Sequence, residues 1–330
     1  MTTLFFVLAI VAGFAVLIWG ADRFIDGAAN IASNLGVSPL LVGLTIVGFG
    51  TSAPEMLVSA LAAFEGAPAL GIGNAIGSNI TNIGLVLGIT ILITPLVVHS
   101  DTLRREFPVL GFVMLVSLVL LLDGDMDRAD GSILFAGFIL TLFGMAWLAI
   151  RSGGHGDPLE TEFEQEYATP SMNTRKATIY FIIGLIALLI GSKSLVWGAT
   201  GIAHLLGVSD LIIGLTIVAI GTSLPELAAS VISALKNEHD IAVGNILGSN
   251  IFNLLAVLAM PGLIAPSNTD PLLLYRDFPF MIGLAIGLYL FARFCPGGRI
   301  GRFAGVLMLV VYISYNGLLA YQNTPGLGLS

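Results

Sequence analysis

The chain contains one stretch twice, and this duplication limits its possible folds more than any other feature. Residues 36–88 align without a gap with residues 207–259 at an offset of 171 positions, and 25 of the 53 aligned residues are identical. Each copy carries the motif Gly-Thr-Ser-x-Pro-Glu, at 50–55 and at 221–226. The same offset relates residues outside the stretch: Gly20 to Gly191, Gly27 to Gly198, and Arg105-Glu106-Phe107-Pro108 to Arg276-Asp277-Phe278-Pro279. One duplication therefore relates the two halves of the molecule.

Composition identifies the class of protein. Hydrophobic residues make up 56% of the 330 residues, charged residues make up 10%, and the mean hydropathy is +0.96. This leaves too little polar surface for a soluble globule. The apolar runs are continuous rather than alternating, which favours helices over a β-barrel, because helices satisfy their own backbone hydrogen bonds in lipid. We therefore predict an all-α integral membrane protein.

The apolar runs predict ten transmembrane helices, since each is long enough to cross a hydrocarbon core of roughly 30 Å. They cover about 1–21, 39–64, 69–97, 107–122, 131–150, 178–200, 211–235, 241–264, 272–294 and 300–321. Each copy holds five spans, an odd number, so the second copy must enter the membrane from the opposite side. The prediction is two inverted five-helix repeats, at 1–151 and 177–330, joined by an acidic linker at 152–176.

The distribution of charge predicts orientation and partners. The connections after odd-numbered spans hold ten of the 13 Lys and Arg residues. The positive-inside rule therefore predicts that these connections and the linker are cytoplasmic and that both termini are outside. The excess of 21 acidic over 13 basic residues argues against nucleic acid and favours cations as partners. The single cysteine, Cys295, excludes an internal disulfide.

The acidic loop at 123–130 imitates the start of an EF-hand. It has Arg128 where the glycine of an EF-hand belongs and Leu134 where the final Glu belongs. We therefore predict a solvated loop, and we interpret the acidic linker in the same way rather than as a regulatory calcium sensor.

Both repeated motifs place a carboxylate inside an apolar span. Pro54 and Pro225 have no N–H to donate to the carbonyl four residues back, so each helix is expected to kink and to free a backbone oxygen. Further oxygens come from matching positions in the motifs and in the next spans: Thr51, Ser52, Glu55, Ser78, Asn82, Thr222, Ser223, Glu226, Ser249 and Asn253. A site that offers only oxygen suits a hard cation such as Ca²⁺.

The duplication predicts that Glu55 and Glu226 face each other near the bilayer midplane, across a pseudo-twofold axis. Two carboxylates balance the charge of one Ca²⁺. Without a cation, their repulsion and desolvation would be severe, so the site must take up Na⁺ or protons when Ca²⁺ leaves. This predicts an obligatory exchange.

Structural interpretations of the same residues remain open. They are helix packing by Gly73, Gly77, Gly244 and Gly248, hydrogen bonds of Ser78 and Ser249 within their own helices, and interhelical hydrogen bonds of Asn82 and Asn253. A structural ion pair would be the alternative for Glu55 and Glu226, but neither motif contains a basic residue.

At these residues the sequence resembles the calcium/cation antiporter superfamily. The resemblance is to its sodium/calcium exchanger branch, specifically to the short members found in the bacterial inner membrane. Segments 50–55 and 73–79, and segments 221–226 and 244–250, look like the two α-repeats of that family. The resemblance implies ten helices and the exchange of cytoplasmic Ca²⁺ for external Na⁺.

The resemblance also implies roles for individual residues. Glu55 and Glu226 would bridge Ca²⁺ together with Thr51 and Thr222. Flanking Na⁺ sites would be lined by Ser52, Ser223, Ser78, Ser249 and the carbonyls of Gly48 and Ala219, with Asn82 and Asn253 completing the centre. Potassium-dependent members carry Asp where this chain has Asn253, which argues against K⁺ co-transport. Proton-coupled relatives carry an acidic residue soon after the Gly-Asn pair, where this chain has Gly-Ser-Asn.

We therefore predict a secondary antiporter of the plasma membrane that exchanges Ca²⁺ for Na⁺, with no enzymatic activity and no cofactor. The first alternative is a Ca²⁺/H⁺ antiporter on the same fold. The second is a passive cation channel, although a fixed filter would not require inverted repeats with one carboxylate each. An intramembrane hydrolase is the third, disfavoured because the two Glu residues lack a convincing nucleophile or metal partner nearby.

Overall fold

A computed structural model describes residues 2–35, 47–66, 68–98, 100–152, 172–205, 219–295 and 298–323. The start of the second predicted span, about the first third of the seventh and most of the acidic linker lie outside these residues.

The described residues are predominantly helical. The helices are α1 (Thr2–Leu35), α2 (Gly48–Phe64), α3 (Pro68–Thr81), α4 (Gly88–Ile93), α5 (Ser100–Leu120), α6 (Arg128–Ser152), α7 (Thr174–Leu205), α8 (Ala219–Thr222), α9 (Leu224–Leu235), α10 (His239–Phe252), α11 (Ala259–Ile264), α12 (Phe278–Phe294) and α13 (Arg302–Asn323). Three π-helical segments connect or extend them: π1 (Asn82–Leu87), π2 (Asn253–Val257) and π3 (Leu273–Asp277).

Two short antiparallel ribbons join connections of the first half to connections of the second. Strand β1 (Leu96–Val97) pairs with β4 (Arg299–Ile300), and β2 (Asp125–Met126) pairs with β3 (Ser267–Asn268). Strands β1 and β3 lie at the same place in the two halves, because they are separated by the 171-residue offset.

The long helical segments differ in how much protein surrounds them. Within the described ranges, six are long and apolar enough to cross a membrane, and the apolar helices at 106–120 and 224–235 are shorter. The segment at 239–264 is buried along its most apolar window, and the segment at 68–93 is mostly buried. These two segments form the centre of the molecule. Outer helices instead expose large apolar side chains, such as Phe112 and Leu140, as expected of surfaces that face lipid.

Helix α1 does not end at residue 21, where the sequence analysis placed the end of the first span. It continues through Asp22, Arg23 and Asp26 to Leu35. The prediction failed because these charges lie against protein: Lys236 forms ion pairs of 2.6 Å with both Asp22 and Asp26. A basic residue distant in sequence therefore permits a longer helix than hydropathy suggests.

Helices α1 and α7 pack closely and antiparallel through glycines. A Cβ built on Gly198 would lie 2.6 Å from the carbonyl oxygen of Phe6, and one on Gly191 would lie 2.8 Å from the backbone nitrogen of Leu17. A Cβ on Gly184 would overlap the backbone of Phe24. Small residues allow membrane helices to approach this closely. The glycines that the duplication matched thus form one interface between the two halves.

The loop at 123–130 is not an EF-hand, as predicted. Residues 125 and 126 form β2, and Asp127 caps the start of α6 by accepting hydrogen bonds from the backbone N–H groups of Ala129 and Asp130 at 2.7 and 2.9 Å. The N–H of Asp130 holds the pKa of the exposed Asp127 below its ordinary value. The acidic residues here begin a helix.

We expect Gly184→Leu to destabilise the protein by more than about 2 kcal/mol, because the added side chain must displace the backbone of α1. Thermal unfolding of the detergent-purified protein would measure the change. Gly144→Leu is the matched control, since no described atom lies within 4 Å of a Cβ built there. Equal melting temperatures for the two variants would contradict the close approach of α1 and α7.

Candidate functional site

The two motif carboxylates come together inside the protein. Glu55 lies in α2 and Glu226 in α9, and neither side chain is exposed at all. Ser52, one turn before Glu55, directs its hydroxyl to Oε1 of Glu226 at 3.5 Å. The two carboxylates are also close enough for their charges to interact. The glutamates of the two halves therefore belong to one site.

The backbone around the two prolines differs between the copies. In the first copy α2 continues as a helix through Pro54, and the kink expected there stays a prediction. In the second copy the helix is interrupted just before Pro225, because α8 ends at Thr222 and α9 begins after Ser223. Ser223 has φ −88° and ψ 5°, outside helical geometry. Because of this break, Glu226 lies in the first turn of α9, where unpaired backbone N–H groups favour a negative charge.

Helix α10 supplies polar groups to the side of the site near Glu226. The hydroxyl of Ser249 lies 3.4 Å from the carbonyl oxygen of Gly48 and 3.5 Å from Oε1 of Glu226. The hydroxyl of Thr51 lies 3.3 Å from that of Ser249. Residues predicted from both motifs thus meet around one carboxylate, and the own-helix interpretation of Ser249 is not supported.

Two asparagines within segments 73–79 and 244–250, to which the sequence analysis gave no role, bind the backbone of the glutamates. Asn74 donates to the carbonyl oxygen of Glu55 at 3.2 Å, and Asn245 donates to that of Glu226 at 3.3 Å. Asn245 also accepts a hydrogen bond from Thr51 at 3.1 Å. The two asparagines occupy matching positions of the duplication, and this repeat of a buried polar residue was the signal that could have identified them.

The asparagines predicted to complete the site each begin a π-helical segment. Asn82 opens π1 and Asn253 opens π2, and both side chains are completely buried. Asn82 donates to Oδ1 of Asn250 at 3.1 Å, which supports its interpretation as an interhelical contact. Neither polar atom of Asn253 has a hydrogen-bond partner among the described residues. Hydropathy does not reveal π-helices, which often occur at functional sites.

The remaining predicted residues are buried or begin a helix of the site. Ser78, Thr222 and Ser223 are buried, and Ala219 is the first residue of α8. The hydroxyl of Ser78 makes no hydrogen bond within its own helix. No described atom lies within 4 Å of a Cβ built on Gly73 or Gly77, so the packing role predicted for them is not observed.

The site is lined mainly by oxygen atoms, from carboxylates, amides and hydroxyls, that can accept hydrogen bonds or bind a cation. Several buried oxygens lack a hydrogen-bond partner in the described part of the chain: both carboxylate oxygens of Glu55, Oε2 of Glu226, Oδ1 of Asn82, Oδ1 of Asn253, and the hydroxyls of Ser78 and Ser223. The ion pairs found in the described part of the chain lie outside the site, and none involves Glu55 or Glu226. No group of three or more His, Cys, Asp and Glu that could hold a metal occurs in the described ranges. Two carboxylates surrounded by neutral oxygens suit an alkali or alkaline-earth cation and not zinc.

Comparisons with known proteins agree with this architecture. The family described as sodium/calcium exchanger protein matches residues 5–147 and 176–321. CaxA of Alkalimonas amylolytica is 48% identical over 314 residues, which cover 94% of this chain and 97% of CaxA. The sodium/calcium exchanger MaX1 of Methanosarcina acetivorans is 31% identical over 349 residues, covering 95% and 98% of the two chains.

Solved structures give the same result for the fold. A structure of the sodium-calcium exchanger NCX_Mj superposes with a TM-score of 0.80 and 34% sequence identity, covering 96% of this chain and 99% of that one. The mostly helical arrangement described above is thus a membrane-transporter fold. The family consists of transporters rather than enzymes. On the evidence of its matched residues and its fold, this chain belongs to the sodium/calcium exchanger family of the calcium/cation antiporter superfamily.

Proposed function

We propose that this protein exchanges Ca²⁺ for Na⁺ across the membrane by alternating access, without requiring K⁺. The observation that carries the proposal is the pair of fully buried carboxylates, Glu55 and Glu226, which no described basic residue neutralises. One Ca²⁺ would balance both charges, and the oxygens around them match the ligands that Ca²⁺ prefers. The similar proteins MaX1 and NCX_Mj are described as sodium/calcium exchangers, which supports Na⁺ and Ca²⁺ as the two exchanged ions.

Coupling follows from the electrostatics of the site. Each buried, unpaired carboxylate costs several kcal/mol in desolvation, and the two carboxylates repel each other. An empty, doubly charged site is therefore a high-energy state that cannot easily change its access. Binding of Ca²⁺ on one side, or of Na⁺ on the other, removes this cost and permits the transition. Exchange is then obligatory, because the protein crosses between its states only when loaded.

The roles we propose for individual residues follow the resemblance and the positions of the side chains. Glu55 and Glu226 bridge Ca²⁺, with Thr51 and Thr222 beside it. Asn82 and Asn253 complete the centre. The flanking Na⁺ sites are formed by Ser52, Ser223, Ser78, Ser249 and the carbonyl oxygens of Gly48 and Ala219.

We further propose that the fold is ten helices in two inverted repeats, at 1–151 and 177–330, joined by a linker at 152–176. The antiparallel packing of α1 against α7 supports inversion, because these are the first helices of the two halves. The matching positions of π1 and π2, and of β1 and β3, support the repeat. We propose a location in the bacterial inner membrane, as the family resemblance implies, with both termini in the periplasm, as the positive-inside rule indicates.

Proton coupling is the second candidate, because the same two carboxylates could be neutralised by protons. We favour Na⁺ because the site contains many neutral oxygens beyond the two glutamates, which proton carriage does not need. A passive channel is disfavoured because a fixed filter would not require inverted repeats with one carboxylate each.

The coupling ion is tested by Ca²⁺ uptake into proteoliposomes. We expect uptake to follow an outward Na⁺ gradient and to be unaffected by a pH gradient or by K⁺. Uptake that follows the pH gradient and ignores Na⁺ would select the Ca²⁺/H⁺ alternative. Uptake that continues with no counter-ion would select a channel.

Replacing either carboxylate tests the site. We expect Glu55→Gln and Glu226→Gln each to reduce Ca²⁺ transport at least about 100-fold, because one buried charge cannot balance Ca²⁺ and loses a charged ligand worth several kcal/mol. Asp123→Asn, in the exposed loop, is the control carboxylate. Size-exclusion profiles like that of the wild type would show that the variants fold, and near-normal transport would refute the site.

Substitution of Asn253 tests the cation dependence. The side chain of Asn253 is buried and has no hydrogen-bond partner among the described residues. Asn253→Asp therefore adds a third carboxylate that no described group neutralises. We expect transport to gain a dependence on K⁺ or on acidic pH, because the added charge needs another cation, while the amount of folded protein changes little. Transport with unchanged dependence on Na⁺, K⁺ and pH would show that Asn253 lies outside the ion pathway.

A further inference from the structure

An ion-pair cluster joins α1 to the end of α9. Lys236 follows α9 directly, and its Nζ lies 2.6 Å from carboxylate oxygens of both Asp22 and Asp26. It also donates to the backbone oxygen of Asp22 at 3.2 Å. The side chains are about one third exposed, between 30% and 38%, so the cluster lies at the surface of the protein and outside the cation site.

The duplication places the same pair of positions in the other half with the signs of charge exchanged. At an offset of 171, Asp22 corresponds to Lys193 of α7 and Lys236 corresponds to Glu65, the residue that follows α2. Glu65 and Lys193 are both exposed. In the described part of the chain, no ion pair joins Glu65 to Lys193. One pair is therefore formed, and its counterpart is open.

The helices that carry these pairs show the same difference. Ala228 of α9 is 8% exposed because α1 covers it, whereas Leu57, at the matching position of α2, is 61% exposed. Likewise Ile232 packs against the buried cluster formed with α1, whereas the matching Leu61 is 49% exposed. Helix α1 thus packs along α9, while α7 packs much less closely on α2.

Hydrogen bonds inside the site are divided in the same way. Asn82 donates to Asn250. Its counterpart would run from Asn253 to Asn79, yet Nδ2 of Asn253 and Oδ1 of Asn79 are both buried without a partner among the described residues.

The glutamates repeat this division. Ser52 contacts Glu226, but Ser223 and Glu55, the matching residues, leave their side-chain oxygens without a described partner. In both cases the hydrogen bond whose acceptor lies in the second half of the chain is formed, and the matching bond to an acceptor in the first half is not.

We infer that Lys236 with Asp22 and Asp26, and Glu65 with Lys193, are two latches that close alternately during transport. Inverted repeats exchange roles when a transporter changes the side to which its site opens. The conformation in which α7 packs along α2 would therefore bring Lys193 to Glu65 and separate Lys236 from α1. The inference rests on the proposed alternating-access function. In the proposed orientation the closed latch is cytoplasmic, so this conformation opens its site to the outside.

Opposite signs in the two latches have a physical consequence. Because each latch is partly exposed, an ion pair contributes little to overall stability, and its effect is to shift the balance between two conformations of similar free energy. The exchanged charges also keep each helix with its own partner. Asp22 and Asp26 of α1 attract Lys236 but would repel Glu65.

Charge reversal tests the open latch through transport. We expect Glu65→Lys and Lys193→Glu each to slow Na⁺-driven Ca²⁺ exchange by roughly two- to fivefold, the effect of a partly exposed ion pair. We expect the double variant Glu65→Lys/Lys193→Glu to recover most of the wild-type rate. The reference is the double variant Asp22→Lys/Lys236→Asp, whose pair is seen here. Effects of Glu65→Lys and Lys193→Glu that simply add, with no recovery, would overturn the inference.

Cross-linking tests the latch without using transport, so that its failure can be distinguished from failure of the proposed function. Cys295→Ser removes the native cysteine, and Glu65→Cys with Lys193→Cys introduces a new pair. A protease site is inserted within 153–171. After cleavage the two halves separate on a gel unless a disulfide joins them. We expect oxidant in native membranes to keep the halves joined. The control pair is Glu65→Cys with Lys176→Cys, since Lys176 lies roughly 25 Å from Lys193 along α7. Cross-linking no greater than that of the control would overturn the inference, whether or not the wild type exchanges Ca²⁺ for Na⁺.

Discussion

The structure depends on the placement of two carboxylates where, among the described residues, no ion pair balances their charge. Glu55 and Glu226 are fully buried, in helices from opposite halves of the chain. A protein can retain such charges only if something neutralises them, because the desolvation cost is several kcal/mol for each ion. The surrounding hydroxyls, amides and carbonyls do not remove the charge. They orient oxygen atoms around it, which is the arrangement expected of a site that binds and releases cations.

The rest of the fold keeps this arrangement within protein rather than lipid. The segments at 68–93 and 239–264 pass through the middle of the molecule, and they carry the asparagines that bind the backbone of both glutamates. Long outer helices expose apolar side chains to the surroundings. Close glycine contacts between α1 and α7 connect the two halves at the outside, so a movement of this pair against the centre would not require the central packing to break.

The two halves share a sequence pattern but do not have the same local structure. A helix continues through Pro54 and breaks before Pro225, and Asn82 has an amide partner whereas Asn253 has none in the described ranges. A symmetric site could not favour one side of the membrane. In the alternating-access function that we propose, this asymmetry would mark one of two states between which the halves exchange their environments.

The sequence by itself determined the membrane class, the helical fold and the pairing of motif residues. Hydropathy and a gap-free offset depend on local composition, so they need no tertiary information. It correctly predicted that Glu55 and Glu226 come close together, while their binding of an ion stays a prediction. It also correctly predicted that residues 123 to 130 do not have the form of an EF-hand, since a strand and the start of α6 lie there. It placed the end of α1 too early, because Lys236 neutralises Asp22 and Asp26 from a distant part of the chain.

Only the tertiary structure decided which partners each repeated residue holds. The break at Ser223, the π-helices that begin at Asn82 and Asn253, and the bonds from Asn74 and Asn245 all depend on neighbouring helices. Identical motifs carry no information about which copy is engaged. That choice is made by packing between the halves, where α1 lies along α9 and leaves α2 open, and it is therefore invisible in a sequence that treats both copies alike.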